Sequence, residues 1–180
     1  MNETIESFDW LDGCPLFEGM TPKQIDLIIP KLEPICYESD TTIISQGEEN
    51  KGLWIISEGC CKVIRDSDKM EEGRTLAILG PGTIFGEMSF FRKTPHSASV
   101  RAVDSTTIYK LSRESFAQLR ESASDVAAAM LVNLIRVLAE RLKLMDTWVF
   151  ELMESCEDRP SAKIEEWHEF RSSLYREWAF

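Results

Sequence analysis

Positive charge is scarce in this sequence. Its 180 residues include 20 lysines and arginines against 31 aspartates and glutamates, so the formal net charge is −11 and the isoelectric point lies near 4.7. A surface that binds nucleic acid needs a clustered basic face, and this balance of charge disfavours one. The composition therefore predicts a protein that makes no direct contact with nucleic acid.

Residues that hold metals or perform nucleophilic catalysis are also few. The chain has five cysteines and two histidines, and no two cysteines stand in C-x-x-C spacing. The sequence contains no phosphate-binding loop of the G-x-x-x-x-G-K-[ST] type, no nucleophile elbow and no paired carboxylates. We therefore expect free thiols, no metal site, no catalytic residues and no enzymatic activity. The cysteines are Cys14, Cys36, Cys60, Cys61 and Cys156.

Long apolar runs are missing as well. No stretch approaches the roughly 20 consecutive apolar residues that a helix needs to cross a bilayer. The N-terminal stretch from Met1 to Glu6 is acidic, whereas a secretory signal begins basic and then becomes apolar. These absences predict a cytoplasmic protein that does not associate with a membrane.

What the sequence does contain is a series of short β-rich runs between turn residues. They recur from Ile35 to Leu111 and are separated by glycine-containing turns, a texture typical of an all-β sandwich or barrel. Before them, Thr21, Pro22 and Gln24 have the spacing of a capping box with proline at the first helical position. The sequence thus predicts a mainly β fold with flanking helices.

One stretch, from Phe85 to Ala102, has the chemistry of a small ligand pocket. It reads F-G-E-M-S-F-F-R-K-T-P-H-S-A-S-V-R-A. Gly86 has no Cβ and lets the backbone approach a ligand closely, and a helix start supplies N–H groups that suit an anion. Glu87 can accept hydrogen bonds from a sugar hydroxyl, while Ser97 and Ala98 leave room for a phosphate.

This stretch resembles the phosphate-binding cassette of cyclic-nucleotide-binding domains, whose pattern runs roughly F-G-E-L-A-L-(x)n-P-R-S-A-T-V. The resemblance extends over roughly residues 16–155. It implies a jelly-roll barrel (a double-stranded β-helix) followed by a long C-terminal dimerisation helix. It also implies that cyclic AMP, cyclic GMP or a related anionic ligand binds at these positions: Phe85, Gly86, Glu87, Met88, Ser89, His96, Ser97 and Ala98.

His96 is the departure from the family pattern. In the family an arginine at this position pairs with the cyclic phosphate, while the glutamate matched by Glu87 holds the ribose 2′-hydroxyl. Arginine offers a permanent charge and a planar fork of donors, whereas an imidazole with an unperturbed pKa of about 6.5 is mostly neutral near pH 7. We expect ligand binding that is weakened, pH-dependent or altered. Arg92, Lys93 and Arg101 are candidates for a substitute charge, and the alternative is that each is a solvated surface residue.

A heptad seam follows the helix start at Ser122 to Asp125. Apolar residues from Ala128 to Cys156 alternate in spacings of three and four over about four heptads. A long helix with such a stripe must bury it, and pairing with a second copy is the simplest way. The alternative is a helix folded back on its own barrel. The predicted dimer seam consists of Leu131, Ile135, Leu138, Leu142, Met145, Val149 and Leu152.

The resemblance also implies that the start of this helix touches the nucleotide base, with Asn133 and Arg136 as polar candidates. We predict a lead-in at 1–15, a barrel with short flanking helices at 16–122, the long helix at 123–156 and an aromatic amphipathic tail helix at 157–180. The tail carries Trp167 and Trp178 at helical spacing. It is expected to pack on the barrel or a partner subunit, or to dock another protein.

Two functions remain open on the sequence. A stand-alone sensor would bind a small anion and transmit the change to the helix and tail. A dimeric scaffold with an inert pocket would instead recruit a partner protein through them. The residues after the long helix are too few for the winged helix-turn-helix that DNA-reading relatives carry there. A haem sensor with His96 as an iron ligand is a minor third alternative.

Overall fold

The computed structural model describes residues 9–49, 52–67, 70–92 and 94–154. Short 3₁₀ turns at Asp9–Leu11 and Pro15–Phe17 lead to helix α1, Pro22–Ile28, which a further 3₁₀ turn, Ile29–Lys31, follows. The capping box at the start of α1 is confirmed. The Thr21 hydroxyl accepts from the Gln24 backbone N–H, and the Gln24 side chain accepts from the Thr21 backbone N–H.

Eight strands form two four-stranded antiparallel sheets among the described residues. The first sheet has the order β1-β8-β3-β6 and the second β2-β7-β4-β5. Glycine turns separate most of the strands, as the sequence pattern predicts. The strands are β1 Leu32–Tyr37, β2 Thr42–Ile44, β3 Leu53–Glu58, β4 Cys61–Ser67, β5 Met70–Leu79, β6 Ile84–Phe85, β7 Ser99–Ala102 and β8 Thr106–Leu111.

Strand β3 shows how the core is divided. Successive side chains of a strand point to opposite faces, and β3 is buried on both. Leu53 and Ile55 join a cluster that packs the first sheet against the helices. Trp54 and Ile56 join a second cluster between the two sheets. The second cluster therefore fills the interior of the barrel, and the helices cover the outside of the first sheet.

Three helices accompany the second half of the barrel. They are α2 Glu87–Arg92, α3 Arg113–Ser122 and α4 Ser124–Glu154. The Ser112 hydroxyl caps α3 by accepting from the Ser115 N–H at 2.9 Å. Early in α4, Val126, Ala127, Met130 and Leu134 are buried in the cluster behind the first sheet.

The chain divides into two compact units after Val137. In the first unit, Leu11 and Cys14 of the predicted lead-in are buried in the cluster between the first sheet and the helices, so the described residues before position 16 belong to that core. In the second unit, the described helix exposes several large apolar side chains. The tail predicted at 157–180 lies outside the described residues, and the predicted domain boundaries stay predictions.

The mainly β jelly-roll architecture with a long C-terminal helix is confirmed. Cys14, Cys36, Cys60 and Cys61 are free thiols. In the described part of the chain, no cluster of three or more histidine, cysteine, aspartate or glutamate side chains is arranged to hold a metal ion. A search of the same residues finds no helix with the length and apolar character of a membrane span.

Candidate ligand pocket

Gly86 begins the pocket segment with a backbone turn that only glycine adopts at low cost. Its φ is +80°, in the left-handed region. A Cβ built at this position would lie 2.5 Å from Cε3 and 2.6 Å from Cζ3 of Trp54, a side chain buried in the barrel. The indole of Trp54 therefore lies directly against the turn, and the turn depends on both residues.

Helix α2 starts immediately after this turn, and the predicted ligand residues on it differ in their exposure to solvent. Glu87 and Ser89 are buried, whereas Met88 is 66% exposed. Phe85, just before the turn, is buried and stacks on Trp54 with ring centroids 5.8 Å apart. Of these residues, Glu87 lies at the start of the helix as the resemblance implies. Phe85 packs within the barrel, and Met88 faces solvent.

His96 is placed beside α2 by the chain that returns from it. Its backbone N–H donates to the carbonyl of Glu48 at 2.9 Å, and its carbonyl accepts from the N–H of Gly47 at 2.9 Å. The imidazole is 8% exposed. Its Nδ1 lies 3.0 Å from the Ser89 hydroxyl oxygen, and its ring is 5.7 Å from that of Trp54. The side chain is thus held between α2 and the barrel interior.

The environment of His96 favours the uncharged imidazole. Burial lowers its pKa below the ordinary value of 6.5, and the nearby Arg113 guanidinium lowers it further, while the Glu48 carboxylate acts in the opposite direction. At pH 7 the side chain is therefore neutral. Where the resemblance implies a permanent cation, this chain has an uncharged ring already bonded to Ser89.

Ser97 and Ala98 follow on the open side of the segment. Ser97 is exposed and Ala98 is half-buried. The next hydroxyl, of Ser99, accepts from the backbone N–H of Gln46 at 2.9 Å. The structure therefore brings the turn at Gly86 and the side chain of His96 together against Trp54, with Ser89 of α2 bonded to His96.

Arg113 is a residue of this site that the sequence reasoning missed. It donates from Nε to the carbonyl of Phe90 at 2.7 Å and from Nη2 to the carbonyl of Ser89 at 2.7 Å. Its guanidinium also lies 5.9 Å from the centre of the Phe90 ring. These bonds satisfy carbonyls near the end of α2 and join it to the start of α3. No local pattern marks this arginine, because its partners are more than 20 residues away in sequence.

Asn133 and Arg136, the candidates for a base contact, have partners within the chain. Asn133 Nδ2 donates to the carbonyls of Leu16 at 3.0 Å and Glu18 at 2.8 Å. Arg136 Nη1 donates to Asn133 Oδ1 at 3.1 Å. Asn133 thereby fastens the N-terminal segment to α4. A base contact would require these bonds to be exchanged, and it stays a prediction.

The predicted dimer seam lies on α4 and is open along most of its described length. Ile135 is 63% exposed, and Leu142 and Met145 are each 57% exposed. Leu131, Leu138 and Val149 are partly exposed, and the side chain of Leu152 lies outside the described set. The buried positions, such as Met130 and Leu134, are offset around the helix from the seam. The stripe that includes Met130 and Leu134 is therefore buried within the chain, and the seam that includes Ile135 and Leu142 stays exposed.

Three comparisons with known proteins identify the family and the fold of the chain. A family model described as the cyclic nucleotide-binding domain matches residues 34–123. The chain is 35% identical over 136 residues to a cyclic AMP receptor protein of Thermus thermophilus, covering 76% of this chain and 61% of that protein. The chain thus spans less than two thirds of the length of this relative.

Solved structures with the same fold include two bacterial proteins. The catabolite activator protein of Thermus thermophilus matches with a TM-score of 0.69 and 32% identity, covering 77% of this chain and 63% of that one. A cyclic nucleotide-binding domain from Methylobacillus flagellatus matches with a TM-score of 0.70 and 23% identity, covering 84% and 83%. The second likeness is one of fold alone.

Proposed function

Since the chain belongs to the cyclic nucleotide-binding domain family, whose model matches residues 34–123, we propose that it is a regulatory module whose contact with the phosphate of its ligand is altered. The observation that carries this proposal is His96. It stands at the position of the phosphate-binding arginine, and its imidazole is buried, neutral and bonded to Ser89. The proposal is also supported by the left-handed turn at Gly86 and the buried Glu87, which stand at the positions where the resemblance implies them.

The change at position 96 has a calculable consequence. A hydrogen bond to a charged group contributes about 1.5–3 kcal/mol, which corresponds to about a tenfold to hundredfold difference in affinity. His96 at pH 7 supplies neither the charge nor the second donor of an arginine fork. Cyclic nucleotides should therefore bind this chain more weakly than they bind an arginine-containing pocket.

The relatives support a cyclic nucleotide as the first ligand to test. The Thermus thermophilus relative is named a cyclic AMP receptor protein. Glu87 remains where the resemblance implies a contact to the ribose hydroxyl, and it is buried at the start of α2. Cyclic AMP, cyclic GMP and related phosphorylated ligands are therefore the proposed ligand class, with Glu87 as the sugar contact.

The output of the module is proposed to be a homodimer joined through α4. Large apolar side chains such as Ile135, Leu142 and Met145 are exposed along a heptad seam. Burying this seam against a second copy would remove it from water, a gain of roughly 25 cal/mol per Å² of apolar surface. A change at the pocket would reach the helix through Arg113, which joins α2 to α3.

Calorimetric titration of the purified protein with cyclic AMP and cyclic GMP, at about pH 6 and about pH 7.5, tests the proposal. We expect weak binding that strengthens at the lower pH, because an anion favours the protonated imidazole. His96→Arg should raise the affinity about tenfold or more. Arg120→Gln, an exposed change on α3, is the control. No binding at millimolar ligand by either the wild type or His96→Arg would reject the proposal.

A second function, a scaffold with an inert pocket, is favoured by one observation. The His96 ring already has its hydrogen-bond partner in Ser89, and α4 still exposes its apolar seam. In this case the dimer and the tail would recruit a partner protein whether or not a ligand is present. Deleting residues 161–180 should then abolish capture of that partner while the protein stays folded and dimeric. An unchanged capture would contradict the scaffold function.

A further inference from the structure

Two arginines face each other across the hairpin formed by β4 and β5. Arg65 and Arg74 are direct register partners, and both are exposed. Like charges placed directly opposite on neighbouring strands destabilise a sheet. An anion bound between the two guanidinium groups would relieve this repulsion.

The side-chain alternation of the second sheet shows which face these arginines occupy. Cys61 and Val63 of β4 pack into the barrel interior together with Val100 of β7 and Leu79 of β5. Because successive side chains of a strand alternate, Arg65 projects from the same face as Val63. Arg74 is paired directly with Arg65, beyond a register shift that lies between Val63 and Ile64 in the β4–β5 pairing, and so shares its face. Strand alternation thus assigns both arginines to the face of the sheet that carries Val63.

The register between β4 and β7 places this pair next to the pocket segment. Val63 is opposite Val100, and Ile64 is opposite Ser99. The pairing ends there, and Arg65 and Ala98 are the next residues along the two segments. The strand register therefore directs Arg65, and with it Arg74, toward the segment that carries His96 and Ser97. Neither arginine is a candidate taken from the sequence.

No carboxylate neutralises these arginines within the described residues. The ion pairs found there join Lys62 to Asp40 and Lys110 to Glu33, and they involve neither guanidinium. Lys62 projects from the opposite, outer face of β4, where its register partner on β7 is Arg101. On the outer face, Lys62 thus has the Asp40 carboxylate as its partner.

We propose that Arg65 and Arg74 form the anion-binding part of this pocket and that they select a ligand with a phosphate monoester. The inference rests on the proposed function in one respect, that residues 86–98 form a ligand pocket. A cyclic phosphodiester carries a single negative charge, whereas a phosphate monoester carries about −1.5 to −2 at pH 7. Two guanidinium groups match the second charge and can each bind phosphate oxygens through a bidentate fork. The ligand class is therefore a linear nucleotide or a similar sugar phosphate.

Titration calorimetry of the whole chain with adenosine 5′-monophosphate and with cyclic AMP tests this inference. We expect the wild type to bind the monophosphate at least tenfold more tightly than cyclic AMP. Arg65→Gln and Arg74→Gln should each weaken monophosphate binding by about tenfold, the loss of one charge-assisted contact. The matched control is Arg120→Gln, which removes the same charge from an exposed position on α3 and should leave the affinity unchanged.

Each remaining outcome decides a different point. Unchanged monophosphate binding in both Arg65→Gln and Arg74→Gln would overturn the anion site, and cyclic AMP binding could still uphold the proposed function. Tighter binding of cyclic AMP than of the monophosphate would overturn the ligand class. If neither nucleotide binds, the proposed function fails, and titration with inorganic pyrophosphate decides the site. Pyrophosphate binding that is lost in Arg65→Gln would uphold the anion site, and an absence of pyrophosphate binding would overturn it.

Discussion

The substitution Gly86→Ala tests whether the turn against Trp54 holds the pocket in place. Two costs add at this position. An alanine in the left-handed region costs roughly 1–2 kcal/mol, and forcing an extra carbon into a packed site typically costs about 1–3 kcal/mol. The second cost applies because the new Cβ would meet the Trp54 ring at 2.5 Å, and Trp54 is buried with little freedom to move.

Two other glycines separate these costs. Gly47 has a φ of +81°, but a Cβ there would meet no heavy atom within 4 Å. Gly47→Ala should therefore lose about 1–2 kcal/mol from backbone strain alone. Gly80 has neither a positive φ nor a neighbour within 4 Å, so Gly80→Ala should be neutral or stabilise the protein by up to about 1 kcal/mol.

Urea unfolding followed by circular dichroism gives the three free energies of unfolding. We expect Gly86→Ala to lose about 2–5 kcal/mol, the sum of both costs, and to lose ligand binding together with stability. The reasoning is refuted if Gly86→Ala is no less stable than Gly47→Ala, because the contact with Trp54 would then contribute nothing.

Three further predictions follow from the same contacts. Because burial lowers the pKa of His96 in the folded state, the free energy of unfolding should be at its full value above about pH 6.5 and fall as the pH decreases below it. His96→Gln should reduce this fall, and equal pH profiles for the two proteins would contradict the prediction. Arg113→Gln should lose about 1.5–3 kcal/mol in urea unfolding, since it removes two charge-assisted bonds to α2. Arg120→Gln should stay within about 0.5 kcal/mol, and equal effects would argue against the role of Arg113. Leu142→Asp should convert the dimer to a monomer in light scattering, whereas Lys143→Asp, one position off the seam, should not. A monomeric wild type would remove the basis of the dimer proposal.

The sequence was sufficient wherever the cause of a structure is local. The capping box of Thr21 and Gln24, the cap at Ser112 and the glycine turn at Gly86 depend on neighbours within a few residues, and the structure confirms each. The strand residues alternate with a period of two, and the apolar residues of α4 recur at intervals of three and four. Both patterns are local and can be read from the sequence. These signals predict a mainly β fold and the stripe that α4 exposes, while the resemblance of residues 85–102 to a family pattern implies the jelly roll and the place of the pocket.

Only the tertiary structure decided the chemistry of the pocket. The sequence shows that His96 replaces an arginine, but its neutral state comes from burial and from Arg113, which belongs to another helix. In the same way, Arg65 comes to face Arg74, and β4 comes to lie beside the strand that follows His96, only through the pairing of β4 with β5 and β7. Burial, electrostatic potential and strand register depend on contacts between residues far apart in sequence, and no short pattern encodes them. The sequence therefore determined the segment in which we propose the pocket, and the fold determined the burial and the electrostatic surroundings of His96 within it.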